Sequence, residues 1–438
     1  MRIMLSLLGF AALLALPAEA VRDAEHADAE PGTAIVVTRG DAVVRVDGRG
    51  RDSNGAPITG NTPMRVASVS KSFTAAAVLT LVDDGTVALD RPVATYLPDF
   101  RMADPRAAAV TVRQLLNQTS GLSDRTVDIG ATQKAPDLAG YVAALRSGRL
   151  AAAPGTHWEY CNVNYDVAAR LVEAVDGRPF PEAMRERIFR PLGMTGSSVG
   201  GTPADGYNSV FGVWVARPEL PAFRAGGAGH VVTTAADMGR WLISQTGHGT
   251  PILSAASLRE MHTPGREAGD YAMGWGVERA GARTLLVHSG NLFTYNAVEA
   301  IDPATAEGWA VLANSATLVD PTYDELLALA DGTEPPGDGH QLIEIVLAAI
   351  ALAALGLGIS GVLRARRPRR VWRLFPPLIP VAVLATYPQL ISLLTNGRTV
   401  TWAQLTYFAA PLTITLGVAA LAGLATVLAR LRWVASTR

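Results

Sequence analysis

The stretch Ala67-Ser68-Val69-Ser70-Lys71-Ser72-Phe73 places a serine hydroxyl and a lysine amine three residues apart, ahead of an apolar run. The run predicts a helix over residues 68–81 that ends at Asp83-Asp84-Gly85. Because residues i and i+3 share one face of a helix, Ser68 and Lys71 are expected to lie one turn apart. Ser68 would then lie at the helix N-terminus, where unpaired backbone N–H groups stabilise a developing oxyanion. This geometry favours a serine that becomes acylated.

Lysine usage singles out the same position. Lysine and arginine total 38, yet lysine occurs only at Lys71 and Lys134, so the other 36 are arginines. A desolvated lysine can give up its proton, whereas an arginine in a protein cannot. By chance, about one lysine in fifteen has a serine three residues before it. The pair therefore needs support from other motifs.

Charge and cysteine content exclude several classes of protein. The chain has 438 residues, enough for one large or two medium domains. Its formal net charge of −1 gives no electrostatic case for nucleic acid. Cys161 is the only cysteine, so neither an intrachain disulfide nor a cysteine zinc cluster is possible. No metal or organic cofactor is implied.

The N-terminal segment indicates export. Residues 1–20 combine Arg2, an apolar run and the ending Pro17-Ala18-Glu19-Ala20, a pattern typical of a secretory signal peptide. An uncleaved anchor helix is the alternative, although the run is short for a full span. Residues 21–32 are polar and acidic, and we interpret them as a flexible leader.

Residues 33–330 predict one α+β domain. A hairpin is expected over 33–51 around Arg39-Gly40-Asp41, and the poorly patterned stretch 123–138 is interpreted as a surface excursion that faces the substrate. Periodicity predicts further helices over 111–117, 165–175, 181–189 and 234–244, and strands over 273–278, 284–288, 296–301 and 309–312. Strands at both ends with helices between them indicate a sheet assembled from distant segments.

Composition changes sharply after a linker at 331–341, and residues 342–438 predict a membrane domain. Three uncharged runs are long enough to cross a bilayer and give spans at about 342–363, 374–394 and 404–428. The middle run contains four prolines, which need backbone partners inside a membrane.

Arginines at the ends of these runs predict the orientation. They cluster between the first and second spans and after the third, at Arg364, Arg366, Arg367, Arg369, Arg370, Arg373, Arg430, Arg432 and Arg438. The loop between the second and third spans holds only Arg398. By the positive-inside rule, the cluster and the C-terminus are cytoplasmic and the large domain lies outside. Three buried core helices are the alternative, but arginine clusters at alternate ends only would then be a coincidence.

Three patches carry the chemistry: Ser68-Val69-Ser70-Lys71, Tyr160-Cys161-Asn162 and His288-Ser289-Gly290-Asn291. With them the chain resembles the serine β-lactamase and penicillin-binding superfamily, nearest the class C branch with its D-alanyl-D-alanine carboxypeptidase and esterase relatives. Flanking phrases such as Pro154-Gly155-Thr156 and Met273-Gly274-Trp275-Gly276 match that branch, and the resemblance covers about residues 33–315. It implies an antiparallel sheet flanked by helices, with a helical subdomain.

The resemblance also implies a role for each patch. Ser68 would be the nucleophile, and Lys71 and Tyr160 would share the proton transfers, in an order that the sequence leaves open. Asn162 would orient the substrate amide, while Ser289, Gly290 and Asn291 would form the substrate-binding strand. The N–H groups of Ser68 and Asn291 would form the oxyanion hole.

His288 stands where the third motif of the class A enzymes has lysine. A cationic histidine could still meet a substrate carboxylate, but it would lose its charge near neutral pH, where lysine would not. The His-x-Gly pattern looks more like the carboxypeptidase and esterase relatives than the efficient β-lactamases. We therefore expect acyl transfer to water from a D-amino-acid peptide or a small ester, rather than antibiotic hydrolysis.

Several alternatives remain at this stage. A penicillin-recognising sensor with a long-lived acyl-enzyme would use the same motifs, and a structural protein that has lost activity would keep them as relics. A thiol enzyme would use Cys161 with His230 or His288. Outside this constellation, Tyr160 would be read as a core tyrosine and Asn162 as a turn residue. Apart from a substrate and a lipid bilayer, the sequence names no partner.

Overall fold

The computed structural model describes residues 31–220, 226–281, 283–333, 339–365, 375–395 and 399–436. The predicted signal peptide and almost all of the predicted leader lie outside these residues. Most of the arginines that orient the predicted spans lie outside them as well.

Strands from both ends of the large domain form its sheets. In chain order they are β1 (Thr33–Arg39), β2 (Ala42–Arg49), β3 (Met64–Arg65), β4 (Ser198–Val199), β5 (Gly206–Val210), β6 (Val213–Arg217), β7 (Val231–Thr233), β8 (Tyr271–Ala272), β9 (Trp275–Ala280), β10 (Arg283–Asn291), β11 (Asn296–Asp302), β12 (Glu307–Ala313) and β13 (Ser315–Ala316). The main sheet is antiparallel and has the order β2-β1-β12-β11-β10-β9-β8. Two three-stranded sheets, β13-β5-β6 and β3-β7-β4, accompany it. Because β1 pairs with β12 over its whole length, the predicted assembly from distant segments is confirmed.

Helices pack around these sheets and continue into the C-terminal tail. In chain order they are α1 (Ser70–Asp83), α2 (Val112–Leu116), α3 (Ile129–Gln133), α4 (Leu138–Ala144), α5 (Val163–Asp176), α6 (Phe180–Met184), α7 (Ala235–Gln245), α8 (Ala255–Met261), α9 (Thr322–Asp331), α10 (Gly339–Leu363), α11 (Ile379–Ala385), α12 (Tyr387–Leu394), α13 (Trp402–Phe408) and α14 (Ala410–Ser436).

The two faces of the main sheet pack against different helices. On one face, Ile301 joins the large core that contains Phe73 of α1 and Trp241 of α7, whose rings stack with centroids 4.1 Å apart. On the other face, Val287 packs with Leu326 of α9. Side chains alternate along a strand, so both faces of β10 and β11 are covered. Helix α1 is consequently held between the sheet and the helical part of the domain.

Most of the predicted elements are confirmed, with shifted ends. The hairpin turns at Gly40, and Gly85 follows the end of α1 with φ of +71°. Ser68, however, lies before the α-helix, in a 3-10 turn over Ala67–Val69. The predicted surface excursion contains α3, which begins where the Asp128 carboxylate accepts the Ala131 N–H at 2.9 Å.

Two other predicted elements are interrupted. The helix expected over 181–189 leaves α-helical geometry after Met184 and continues as a π-helical turn, Arg185–Phe189. The strand expected over 273–278 begins two residues late, because Gly274 has φ of +85° and turns the chain between β8 and β9. Strands of two or three residues, such as β3 and β7, carry too little alternation to be predicted.

Among the residues of the tail that the structure describes, two helices are long and apolar enough to cross a membrane, Gln341–Leu363 and Ala410–Val434. The predicted middle span is instead a pair, Pro376–Ala385 and Tyr387–Leu394, bent by 65°. Pro388, in the first turn of α12, has no N–H to continue the preceding helix, which explains the break. The pair counts as a third span only if it crosses as one unit.

Candidate active site

The predicted nucleophile lies in the tight turn between strand β3 and helix α1. Ser68 is the middle residue of that turn and is half-buried, and Ala67 before it has φ of +48°. A non-glycine residue in this region costs about 1–3 kcal/mol and persists only where its surroundings hold it. The Val66 N–H donates to the Val231 carbonyl at 3.2 Å and so fixes the approach to the turn. The strain is therefore stored next to the nucleophile.

Lys71 is fully buried and points at Ser68. Its Nζ lies 2.9 Å from Ser68 Oγ and donates to the Ala228 carbonyl at 2.6 Å. The spacing of the motif is thus realised as a direct hydrogen bond, although the serine precedes the helix. A lysine held in this way is placed to exchange a proton with the serine hydroxyl.

The residue whose carbonyl holds Lys71 is itself held by a buried acid. The Ala228 N–H donates to Asp166 Oδ1 at 3.1 Å, while the Ala228 carbonyl accepts from Lys71. Burial raises the pKa of Asp166 to about 6, against the lowering effects of a Tyr141 hydrogen bond, the Ala228 N–H and the Lys71 charge. Asp166 is therefore mostly ionised at neutral pH, and the periodicity that predicted helix α5 gave no sign of this role.

Tyr160 closes one side of the site. The centroid of its ring lies 4.9 Å from Lys71 Nζ and 6.4 Å from the ring centroids of Tyr271 and His288. A cation over an aromatic face is attracted by the ring quadrupole. The structure thus brings Ser68, Lys71 and Tyr160 together, as the motifs predict.

The two residues after Tyr160 differ in burial. Asn162 is exposed at the start of α5, where its carbonyl accepts the Tyr165 N–H at 3.0 Å. Cys161 is buried, and its thiol donates to Asp124 Oδ1 at 3.1 Å. Burial and the nearby Asp124 charge raise the pKa of the Cys161 thiol well above its usual value. Since the thiolate is the reactive form, this environment disfavours the thiol-enzyme alternative.

His288 is buried on β10 and is neutral at physiological pH. Burial first, and then the Lys71 charge, lower its pKa to about 3, although a hydrogen bond to the Ser289 carbonyl opposes them. That carbonyl, 2.7 Å from Nδ1, can only accept, so Nδ1 carries the proton. Nε2 is then an acceptor and faces the Tyr271 hydroxyl at 3.5 Å. The cationic contact with a substrate carboxylate that a protonated His288 would make is absent in this state.

The rest of β10 runs past the nucleophile turn. A Cβ atom at Gly290 would lie 2.2 Å from the Val66 carbonyl oxygen and 3.1 Å from the Ser68 nitrogen, so only glycine fits. The ladder with β9 ends at Val287, and the side chains of Ser289 and Asn291 are exposed. This free edge of β10, beside the Ser68 N–H, is the geometry that an oxyanion hole requires.

Supporting residues that the sequence did not reveal surround these motifs. Gln118, with φ of +60°, accepts the Cys161 N–H at 3.0 Å and the Asn164 side-chain amide at 2.6 Å, and so shapes the loop that carries Tyr160. Ser72 bonds the buried Glu299 under the nucleophile turn. Within the described ranges, no group of three or more His, Cys, Asp or Glu side chains could hold a metal ion.

Comparison with known proteins agrees with this geometry. The beta-lactamase family matches residues 18–332. The chain is 33% identical over 280 residues to penicillin-binding protein 4 of Amycolatopsis lactamdurans, an alignment that covers 59% of this chain and 72% of the relative. It is 27% identical over 301 residues to protein flp of Staphylococcus aureus strain COL, covering 65% of this chain and 59% of that protein.

A solved structure shows the same fold. The D-amino acid amidase from Ochrobactrum anthropi SV3, in complex with L-phenylalanine amide, superposes with a TM-score of 0.54. The two chains are 30% identical, and the match covers 65% of this chain and 88% of the amidase.

Proposed function

Because the chain belongs to the beta-lactamase family, we propose that it is a membrane-tethered serine hydrolase whose extracytoplasmic domain cleaves amides or esters of D-amino acids through an acyl-enzyme on Ser68. That it is a serine hydrolase of the β-lactamase fold follows from its relatives. The single observation that carries the mechanism is the buried Lys71, whose Nζ lies 2.9 Å from Ser68 Oγ.

The reaction proceeds in two steps. Ser68 Oγ attacks the substrate carbonyl carbon, and its proton passes to Tyr160, or to Lys71 once that amine has given up its own proton. The tetrahedral oxyanion, bound by backbone N–H groups at the turn and on β10, collapses; the C–N or C–O bond breaks and the amine or alcohol leaves with a proton. Water then attacks the Ser68 ester, the acid is released and Ser68 Oγ regains its proton.

The neutral state of His288 supports an uncharged group at the C-terminal end of the substrate. A free carboxylate would gain no ion pair from a neutral His288, whereas an amide gains a hydrogen bond if its N–H reaches Nε2. The protein whose solved structure is compared above is a D-amino acid amidase, which is consistent with this class of substrate.

Contacts between the domain and the tail support membrane tethering. Near the start of α10, Glu344 accepts hydrogen bonds from Ser209 at 2.8 Å and from the Gly212 N–H at 2.7 Å. Phe211 at the tip of the β5–β6 hairpin packs with Ala410 at the start of α14. The arginine pattern assigns both of these helix ends to the outer side, so the domain would rest on the outer surface of the bilayer.

One contact favours the sensor as a second candidate. Phe293, two residues beyond Asn291, packs its ring against Tyr407 and Phe408 of α13, with centroids 5.9 and 4.9 Å apart. A movement of the substrate-binding strand on acylation would therefore be transmitted directly to helix α13 of the tail.

Intact-protein mass spectrometry of the full chain in detergent tests both candidates. The protein is mixed with D-phenylalanine amide, an activated ester and a penicillin, beside the Ser68→Ala and Cys161→Ala variants. An acyl adduct that persists in Cys161→Ala and disappears in Ser68→Ala supports the mechanism, and the reverse result overturns it. An adduct that decays within the turnover time indicates a hydrolase, whereas one that lasts indicates the sensor.

A further inference from the structure

Glu299 is a buried acid beneath the nucleophile turn. It lies on β11 directly opposite His288 of β10, and its side chain is fully buried on the face of the sheet that carries α1. Glu299 Oε1 lies 2.7 Å from Ser72 Oγ, and Oε2 accepts from the Trp241 indole N–H at 2.9 Å. Neither the proton transfers nor the substrate contacts described above use this carboxyl group.

The hydrogen bonds around Ser72 bear on the protonation state of Glu299. Ser72 Oγ lies 2.8 Å from the Val69 carbonyl oxygen as well as 2.7 Å from Glu299 Oε1. Each of these short O···O contacts needs a proton, yet the hydroxyl supplies one and a backbone carbonyl supplies none. An ionised carboxylate would leave one contact as two oxygens without a proton between them. A proton on Glu299 Oε1 satisfies both contacts.

We propose that Glu299 is a positioning residue: a neutral carboxylic acid that donates to Ser72, so that Ser72 donates to the Val69 carbonyl and fixes the turn carrying Ser68. The order of the bonds is Glu299 Oε1–H to Ser72 Oγ, and Ser72 Oγ–H to Val69 O. Val69 is the last residue of the 3-10 turn that Ser68 occupies. The inference rests on the proposed function only in that it assigns Ser68 as the nucleophile.

The surroundings of Glu299 explain how it keeps its proton. On β10 it faces His288, which is neutral, and on β12 its ladder partner is the apolar Ala310. On α7 it meets the indole of Trp241, which carries no charge. The one cation on α1 near this layer, Lys71, directs its ammonium group at Ser68 and Ala228.

Burial raises the pKa of Glu299 to about 8, because the hydrogen bonds that Ser72 and Trp241 donate to the ionised carboxylate only partly offset the loss of solvation. Ionisation in mildly alkaline solution removes the proton that bridges Glu299 and Ser72. Ser72 then turns its hydroxyl towards the carboxylate, the Val69 carbonyl loses this bond and the turn loosens.

Substitution by glutamine and by leucine separates the positioning role from a packing role. In Glu299→Gln the amide N–H₂ donates to Ser72 and the amide oxygen accepts from Trp241, and neither group titrates. Glu299→Leu keeps the volume but loses both bonds. We expect Glu299→Leu to lower kcat about 10-fold or more with little change in KM, because the turn carrying Ser68 is misplaced. Glu299→Gln should retain most of the activity that Glu299→Leu loses.

The pH profile of kcat/KM for the full chain in detergent is the first readout. With a pKa of about 8, the wild type at pH 9 keeps about a tenth of its plateau value, whereas Glu299→Gln holds its plateau to higher pH. Glu325→Gln, a matched change at a buried glutamate on α9, leaves the profile unchanged. Superimposable profiles for the wild type and Glu299→Gln overturn the proposal, as does a Glu299→Gln variant that is no more active than Glu299→Leu.

Infrared difference spectroscopy between pH 6 and pH 10 gives a second readout that does not need activity. The C=O band of a buried protonated carboxylic acid should disappear with an apparent pKa near that of the alkaline limb, and Glu299→Gln should lack it. A protein that shows this band but cleaves no substrate contradicts the proposed function alone. A carboxylate band for Glu299 at neutral pH overturns the positioning role.

Discussion

Gly290→Ala tests how closely strand β10 must approach the nucleophile turn. The added Cβ would lie 2.2 Å from the Val66 carbonyl oxygen, whereas van der Waals contact begins at about 3.4 Å. The strand or the turn must therefore move by about 1.2 Å. The atoms that the Cβ would meet at 2.2 and 3.1 Å, the Val66 carbonyl oxygen and the Ser68 nitrogen, belong to the backbone, so no side-chain rotation can relieve the clash. A misplacement of about 1 Å at a catalytic centre costs about 100-fold in rate, or about 2.7 kcal/mol of transition-state stabilisation.

Steady-state kinetics of the full chain measures this effect. We expect kcat/KM to fall by about 100-fold and the rate of acylation to fall with it, while the midpoint of thermal unfolding shifts by a few degrees only. Gly130→Ala, on α3, is the control, because its Cβ would meet no atom nearer than an Asp128 carboxylate oxygen at 3.3 Å. A Gly290→Ala enzyme within threefold of the wild type would show that the Ser68 turn tolerates displacement, and would refute the oxyanion-hole geometry.

Three further predictions concern the motifs and the tail. Cys161→Ala should leave the acylation rate within about twofold, because the thiol is buried and bonded to Asp124; abolished acylation in the mass spectrum would reinstate the thiol enzyme. Because His288 is neutral, an amidated D-peptide should be cleaved at least as fast as its free acid, and a free acid favoured more than 10-fold in kcat/KM would contradict this. Phe293→Ala should destabilise the full chain by about 1–3 kcal/mol in urea, since it removes two ring contacts; Phe375→Ala, an exposed ring in the tail, should not.

Local patterns in the sequence predicted much of the molecule. The hairpin around Gly40 and the end of α1 at Gly85 follow from turn chemistry, because a positive φ favours glycine. The proximity of Ser68 and Lys71 follows from their spacing, since a 3-10 turn and an α-helix both return the chain to one face within three or four residues. That the three motifs, which are distant in sequence, lie together in space could be predicted only from the resemblance to a known family.

The features that escaped prediction depend on tertiary contacts. Glu299 reads as a polar interruption in strand β11, and only its burial against Trp241 gives it a role. Asp166 reads as a surface position of α5, yet it lies under the Ala228 peptide. The positive φ of Ala67 cannot be read from an alanine, because the surrounding turn imposes it. The reactive groups could thus be identified from the sequence, whereas the groups that hold them in place could be identified only from the tertiary structure.

The two buried acids should bracket the working pH of the enzyme. Asp166, whose raised pKa is about 6, is ionised above that pH and supplies a negative charge near Lys71, to which it is connected through the N–H and the carbonyl of Ala228; protonation below pH 6 removes this charge. Glu299, whose raised pKa is about 8, holds Ser72 only while protonated, so its contribution disappears above pH 8. A bell-shaped profile of kcat/KM with limbs near these values is expected. Asp166→Asn should flatten the acidic limb and Glu299→Gln should displace the alkaline one. If each substitution moved both limbs, the carboxyl groups would titrate as one coupled system and the separate assignments would be wrong.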